Sequence, residues 1–326
     1  MIVVAGESLI DLIPNDPGQL TAHCGGGPFN TAQALARLGQ RVSFLGSISD
    51  DALGLRLRSR LVEEGVAVDT LVATSLPTTL ALAEIDKTGS ARYRFYTDGT
   101  AASALTVPDA LAALPAAYDA LYVGGLGLAL EPIADAIAAL VQAANDAGAL
   151  VMVDPNVRPS AIRARAPYLA GLQRVLQRAH VVKVSVEDLA WLQPERTPAD
   201  AARALLDAGP RVVLLTRSAD GALVVTPSAV VKVAAFPAAV VDTIGAGDAF
   251  SAGFLAWWRQ RAGDRDRLGD IDAVADAARF ASLVAGRACE RAGAAPPRID
   301  PQAFPAPVTL PPRQQIASAI NSEQAI

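Results

Sequence analysis

Short apolar runs recur along this chain, and stretches with helical spacing of apolar residues separate them. Ala120–Val123, Leu150–Val153 and Val181–Val184 are continuous apolar segments, the pattern of strands buried on both faces. Glu131–Ala147 lies between the first two and reads as an amphipathic helix. Residues 2 to 13 read as a first strand, and RVSFLGSISDDALG (Arg41–Gly54) as strand, turn and helix start. Arg211–Thr216 and Gly221–Val225 add two strands, and Ile271–Cys289 an alanine-rich helix. This rhythm predicts an α/β fold with a mostly parallel central sheet between helical layers. The texture differs from Thr70 to Tyr96: Thr78–Glu84 and Ala91–Tyr96 alternate around the turn DKTGS and predict a β-hairpin.

Composition narrows the function. The 326 residues suit one large α/β domain or two smaller ones, and 52% hydrophobic content supplies an ample core. A net charge of −5 without a basic block argues against nucleic acid as a partner. No uninterrupted apolar stretch is long enough for a membrane span, and the start lacks the basic segment of a signal peptide, so the expectation is cytoplasmic. Cys24 and Cys289 read as reduced thiols. The three lysines, Lys87, Lys183 and Lys232, do not follow a glycine, which excludes a G-x-x-x-x-G-K-[ST] phosphate loop. His23 and His180 offer no zinc spacing. The first strand is not followed by G-x-G-x-x-G, which disfavours a dinucleotide oxidoreductase.

The candidate chemistry lies in VVDTIGAGDAFSAGFL (Val240–Leu255). An apolar run ends at Val241, and Asp242 and Thr243 then suit a turn and a helix N-cap. Gly245, Ala246 and Gly247 are small enough for a ligand to approach the backbone, and Asp248 follows in the first turn of a helix through Phe250, Phe254 and Trp257. Unpaired amides and the helix dipole make such a turn an anion site, above all for phosphate. A carboxylate beside it suits a base that takes a hydroxyl proton as a phosphoryl group arrives. A bare Gly-x-Gly turn is often only tight packing; the whole string carries more.

D-T-x-G-A-G-D followed by A-F-x-A-G-F resembles the signature of the ribokinase-like (PfkB) carbohydrate kinases. The resemblance implies that Asp248 is the catalytic base and that the amides of Gly245, Ala246 and Gly247 form the anion hole. HCGGGPFNTAQALARLG (His23–Gly39) resembles the family's N-terminal signature, which implies sugar contacts from Gly26, Gly27 and Asn30, with Asp11 beside them. DPNVRPS resembles the family's D-x-N-x-R and adds Arg158 to the sugar site. SVEDLAWL stands at the N-x-x-E motif that helps place Mg²⁺ through water, with Ser185 and Asp188 replacing Asn and Glu; Glu187 is the alternative acid. Thr216 and Gly221 match a T-x-G-x-x-G nucleotide segment in which Ser218 replaces glycine.

FYTDGTA resembles the fructokinase branch, with Tyr96 as a substrate contact and Ala102 where a polar residue is usual. The implied reaction is transfer of the ATP γ-phosphoryl group to a sugar hydroxymethyl. Fructose is the first choice of substrate and 2-keto-3-deoxygluconate the second; a non-catalytic sugar-binding relative is the rival reading. Further implications are a monovalent cation such as K⁺ near Asp242, and a β lid drawn from about residues 12–22 and 74–97 that forms a homodimer. The expected kinase domain is residues 1–300, with a C-terminal tail over 301–326.

Overall fold

The computed structural model describes residues 1–16, 18–85, 91–261, 263–294, 296, 298 and 299; the DKTGS turn and the expected tail lie outside them. In chain order the first strands are β1 (Ile2–Ala5), β2 (Leu9–Asp16) and β3 (Gln19–Gly25), then helix α1 (Gly27–Arg37), β4 (Val42–Ser49), α2 (Ala52–Glu64) and β5 (Leu71–Thr74). A hairpin of β6 (Leu80–Ile85) and β7 (Ala91–Tyr96) precedes α3 (Val107–Ala113), β8 (Ala120–Gly124), α4 (Ile133–Asp146) and β9 (Leu150–Asp154). The second half runs α5 (Arg165–Leu176), β10 (Val181–Ser185), α6 (Val186–Leu192), α7 (Pro198–Asp207), β11 (Val212–Thr216), β12 (Ala222–Val225) and β13 (Val230–Val233). Two long helices, α8 (Ala246–Arg261) and α9 (Ile271–Cys289), follow.

These strands form two sheets. The larger has the order β13-β12-β11-β10-β9-β8-β1-β4-β5, parallel from β11 to β5, with β12 and β13 antiparallel at one edge. The smaller has the order β3-β2-β6-β7. Alternation along β1 shows why its sequence is apolar throughout. Ile2 and Val4 join the core beneath α1, α8 and α9, while Val3 and Ala5 join the core beneath α4 and α5. Phe44, Phe254 and Trp258 fill the first core, and the rings of Phe254 and Trp258 stack 5.9 Å apart. No helix among the described residues is long and apolar enough to cross a membrane.

The structure corrects the reading of residues 2–13 as one strand. The chain leaves the large sheet after Ala5 and enters the small one at Leu9. The break falls at Gly6, at φ 153°, whose backbone is pressed against the Pro28 ring. Gly6, Glu7 and Ser8 interrupt the apolar run at the break, yet burial continues unbroken from Ile2 to Ile10, because both sheets cover this segment. The small sheet takes β2 and β3, which extend beyond residues 12–22 at both ends, and from the second interval it takes β6 and β7. Leu71–Thr74 is instead the edge of the large sheet, paired with β4.

Candidate active site

The GAGD turn is built against the end of α9. The amides of Val241 and Asp242 donate to the Cys289 carbonyl at 2.8 and 3.2 Å. Asp242 Oδ1 accepts from Ile244 N at 3.0 Å and Oδ2 from Gly293 N at 2.9 Å. Asp242 thus ties two loops together and does not cap the helix, which starts only at Ala246. Gly245 is at φ 75°, and a Cβ there would lie 2.6 Å from backbone atoms of Ala294, so only glycine fits. The first helical bond runs from Ala249 N to the Gly245 carbonyl at 2.8 Å. The amides of Gly247 and Asp248 precede it and are open to an anion. The Ala246 amide differs: it donates to the Thr243 carbonyl at 3.2 Å. An anion at this turn would therefore meet Gly247 N and Asp248 N rather than Ala246 N.

Asp248 is buried, and Asn30 Nδ2, 218 residues away in sequence, donates to its Oδ2 at 3.0 Å. Burial raises the Asp248 pKa to about 7; Asn30, Lys183 and Arg158 oppose the rise, and Asp154 adds to it. Behind it Lys183 Nζ donates to Asp154 Oδ2 at 2.7 Å, and Tyr122 and Ser251 hydroxyls reach the same oxygen at 3.3 and 3.4 Å. Lys183 also lies under the turn, because a Cβ on Gly247 would sit 2.9 Å from its Nζ. Burial works against the Lys183 ammonium, yet Asp154, Asp188 and Asp248 outweigh it and raise its pKa. A buried ammonium thus lies below the Gly245–Gly247 turn.

Asn30 and Asp242 open onto a cavity of about 770 Å³ that Asp11, His23, Tyr93 and Gly293 also line. Asp11 lies within β2 of the small sheet, not at the end of a strand of the large one. Its carboxylate passes over Gly25, where a Cβ would collide with Oδ2, so the first glycine of the triplet makes room for the acid. Burial lifts its pKa to about 6 against the pull of Arg158. Arg158 is exposed, with Nη1 on the Val157 and Asn156 carbonyls at 3.2 and 3.3 Å. Tyr96 is not brought to this cavity. Asp11 is level with Ala81 and Phe95 across the sheet, which puts Tyr93 on the Asp11 face and half-exposed Tyr96 on the other.

A buried carboxylate at a helix N-terminus, a glycine-rich turn and a polar cavity are features that a kinase for small hydroxylated molecules would use. A model described as pfkB family carbohydrate kinase matches residues 1–300. A fructokinase of Rhizobium leguminosarum bv. trifolii is 35% identical over 260 residues, 78% of this chain and 79% of that one. The chain belongs to the pfkB family of carbohydrate kinases. Fructokinase from Xylella fastidiosa, solved with bound ATP, superposes with a TM-score of 0.84 at 28% identity, over 93% of this chain and 97% of that one. Fructokinase from Vibrio cholerae O395, solved with fructose, ADP and calcium, gives 0.79 at 26% identity over 93% and 95%.

In this carbohydrate kinase the Ser185–Asp188 pair forms a capping box on α6. Ser185 Oγ accepts from Asp188 N at 3.0 Å, and Asp188 Oδ2 from Ser185 N at 2.9 Å. Asp188 Oδ1 accepts from Val157 N at 2.7 Å, which fixes the loop that carries Arg158. Both carboxylate oxygens are committed, whereas Glu187 is exposed. We expect Asp188→Ala to lower unfolding stability by about 1–3 kcal/mol, because the buried Val157 amide loses its acceptor, with Glu187→Ala within about 0.5 kcal/mol of the parent. Urea titration checks both. A rise in the Mg²⁺ requirement of Asp188→Ala without a stability loss would mark a metal role. Thr216 Oγ1 donates to the Val184 carbonyl at 3.3 Å, at the edge where β11 meets β12. Ser218, where the family usually has glycine, is at φ 50°, a conformation that glycine adopts freely.

Glu7, Lys183 and Tyr93 belong to the candidate site or its support without having been singled out as site residues, whereas Asp154 and Asn156 stand with Arg158 in the D-x-N-x-R phrase read from the sequence. Lys183 had a visible signal: a lysine inside the apolar run VVKVS needs a buried partner.

Proposed function

We propose that this kinase phosphorylates fructose, with ATP as donor. The observation that carries the reading is Asp248: a buried carboxylate held by Asn30 at the N-terminus of α8, with a pKa near neutrality. The sugar hydroxymethyl oxygen attacks the γ-phosphorus as its proton passes to Asp248. The bond from phosphorus to the β,γ-bridging oxygen breaks, and ADP leaves. The amides of Gly247 and Asp248, with Lys183 beneath, face the negative charge of the transferred group. Asp11, Asn30, the Gly26–Gly27 backbone and Arg158 hold the sugar, and Thr216 and Gly221 border the nucleotide. Fructose rests on the fructokinases named above and on the Gly99-Thr100-Ala101 phrase.

No group of three metal-ligating side chains occurs among the described residues. Magnesium would be held with the nucleotide by Asp188 or Glu187 through water, and would supply charge neutralisation at the phosphates. The reading includes K⁺ beside Asp242, a cytoplasmic location and a homodimer formed through the small sheet, which would cover the sugar as a lid. Exposed Leu20 and Tyr96, both on the sheet face opposite Asp11, support that interface.

The test is coupled ADP release with ATP and Mg²⁺ across a sugar panel. Fructose is expected to give a higher kcat/KM than 2-keto-3-deoxygluconate, ribose or adenosine. A preference for the keto acid would overturn the substrate and leave the kinase reading in place.

A further inference from the structure

Glu7 stands where the chain crosses from β1 to β2, between the large sheet and the small one. It is 2% exposed, and its Oε2 accepts from Gly127 N at 3.0 Å in the turn after β8. Its Oε1 lies against Gly125, where any Cβ would collide with it. A Cβ on Gly27 would sit 3.9 Å from Glu7 Oε1 and 3.5 Å from Asp248 Oδ1, with Asn156 Nδ2 at 3.0 Å. Two buried carboxyls therefore border one small space behind the sugar-binding loop.

We propose that Glu7 is a positioning residue for phosphoryl transfer that acts through Asp248: the two carboxyls share one negative charge and titrate as a coupled pair. This rests on the reading of Asp248 as base. Burial pushes Glu7 up to about 7, the amides of Gly127, Glu7 and Leu126 oppose the rise, and Asp248 adds to it. Like charges so placed ionise in two steps that belong to the pair. The other charged groups facing Asp248 are Asp154 at the end of β9, Lys183 on β10 and Arg158 after β9. None of these is altered by a change at Glu7. Glu7 also has a mechanical role, since it clamps the crossing between the two sheets to the Gly127 turn.

Glu7→Gln keeps an acceptor for the Gly127 amide and removes the charge. The acid limb of kcat/KM against pH is expected to move to lower pH by roughly half a unit or more, and Glu7→Asp is expected to restore it. A limb that stays in place in a folded Glu7→Gln enzyme overturns the proposal. Carboxyl-carbon NMR of the wild-type enzyme gives a second readout that needs no variant. Asp248 should titrate in two coupled steps, and a single step counts against the pairing even if Glu7→Gln does not fold. The two readings fail separately: an Asp248→Asn enzyme that keeps its turnover defeats the base reading. A single titration step beside an inactive Asp248→Asn enzyme defeats the present proposal alone.

Discussion

Asp248→Asn is expected to lower kcat by about 10²–10⁴-fold, the range for loss of general-base assistance, while sugar and nucleotide affinities change little. The substitution keeps the shape and an oxygen for Asn30 Nδ2 to reach at the 3.0 Å separation seen here. It removes the basicity that the transition state uses. A fall in kcat without a matching change in binding marks a group acting in the transition state. Calorimetry beside turnover measurements separates the two effects. Turnover within about tenfold of wild type, below the range for a lost general base, would remove Asp248 from that role.

The pH profile adds a sign. A base must be ionised, and burial has raised the Asp248 pKa from 3.8 to about 7. Wild-type kcat/KM should therefore fall as pH drops through neutrality, and the variant should lose that limb. Stability has the opposite sense. A carboxyl whose folded pKa lies above its unfolded value contributes stability that is present at low pH and lost as pH rises through about 7. The ligand-free Asp248→Asn protein should gain melting temperature over wild type at pH 8 more than at pH 5. Catalytic carboxylates held in dry surroundings trade stability for function in this way.

Lys183→Met is expected to destabilise the protein by about 3–5 kcal/mol, because it leaves a buried charge without its partner. Asp154 is 0% exposed, and its Oδ1 has no hydrogen-bond partner among the described residues. The tie to Lys183 Nζ at 2.7 Å is what compensates its other oxygen, helped only by two hydroxyls beyond 3.2 Å. Without the ammonium, burial would push the Asp154 pKa further up than it already does. The loss should therefore be small in acid, where the carboxyl is protonated, and grow as pH rises. The double variant Lys183→Met/Asp154→Asn should recover much of the stability at pH 8. Urea denaturation at two pH values measures both effects. A double variant no more stable than the single one would show that packing, not an orphaned charge, is responsible.

The parallel sheet, its helices and the glycine-rich turn ahead of α8 could be read from the sequence alone because their determinants are local. A strand buried on both faces must be apolar throughout, as β8, β9 and β10 are. A turn with the φ of Gly245 demands glycine, and the order Gly-Ala-Gly-Asp puts a carboxylate in the first helical turn whatever surrounds it. The polar step Gly6-Glu7-Ser8 interrupts residues 2–13, but only strand pairing tells that the two halves enter different sheets. Alternation alone could not choose between Tyr93 and Tyr96. A period of two assigns them to opposite faces, but only pairing with β6, and through it with Asp11 on β2, tells which face meets the cavity. The functions of Asp242, Asp188 and Glu7 depend on what lies opposite: the Gly293 amide, the Val157 amide and the Gly127 amide. Those partners come from distant parts of the chain. The ionisation of Asp248 is decided in the same way, by desolvation and by neighbours from α1, β9 and β10, so its identity as an acid is local and its strength as a base is tertiary.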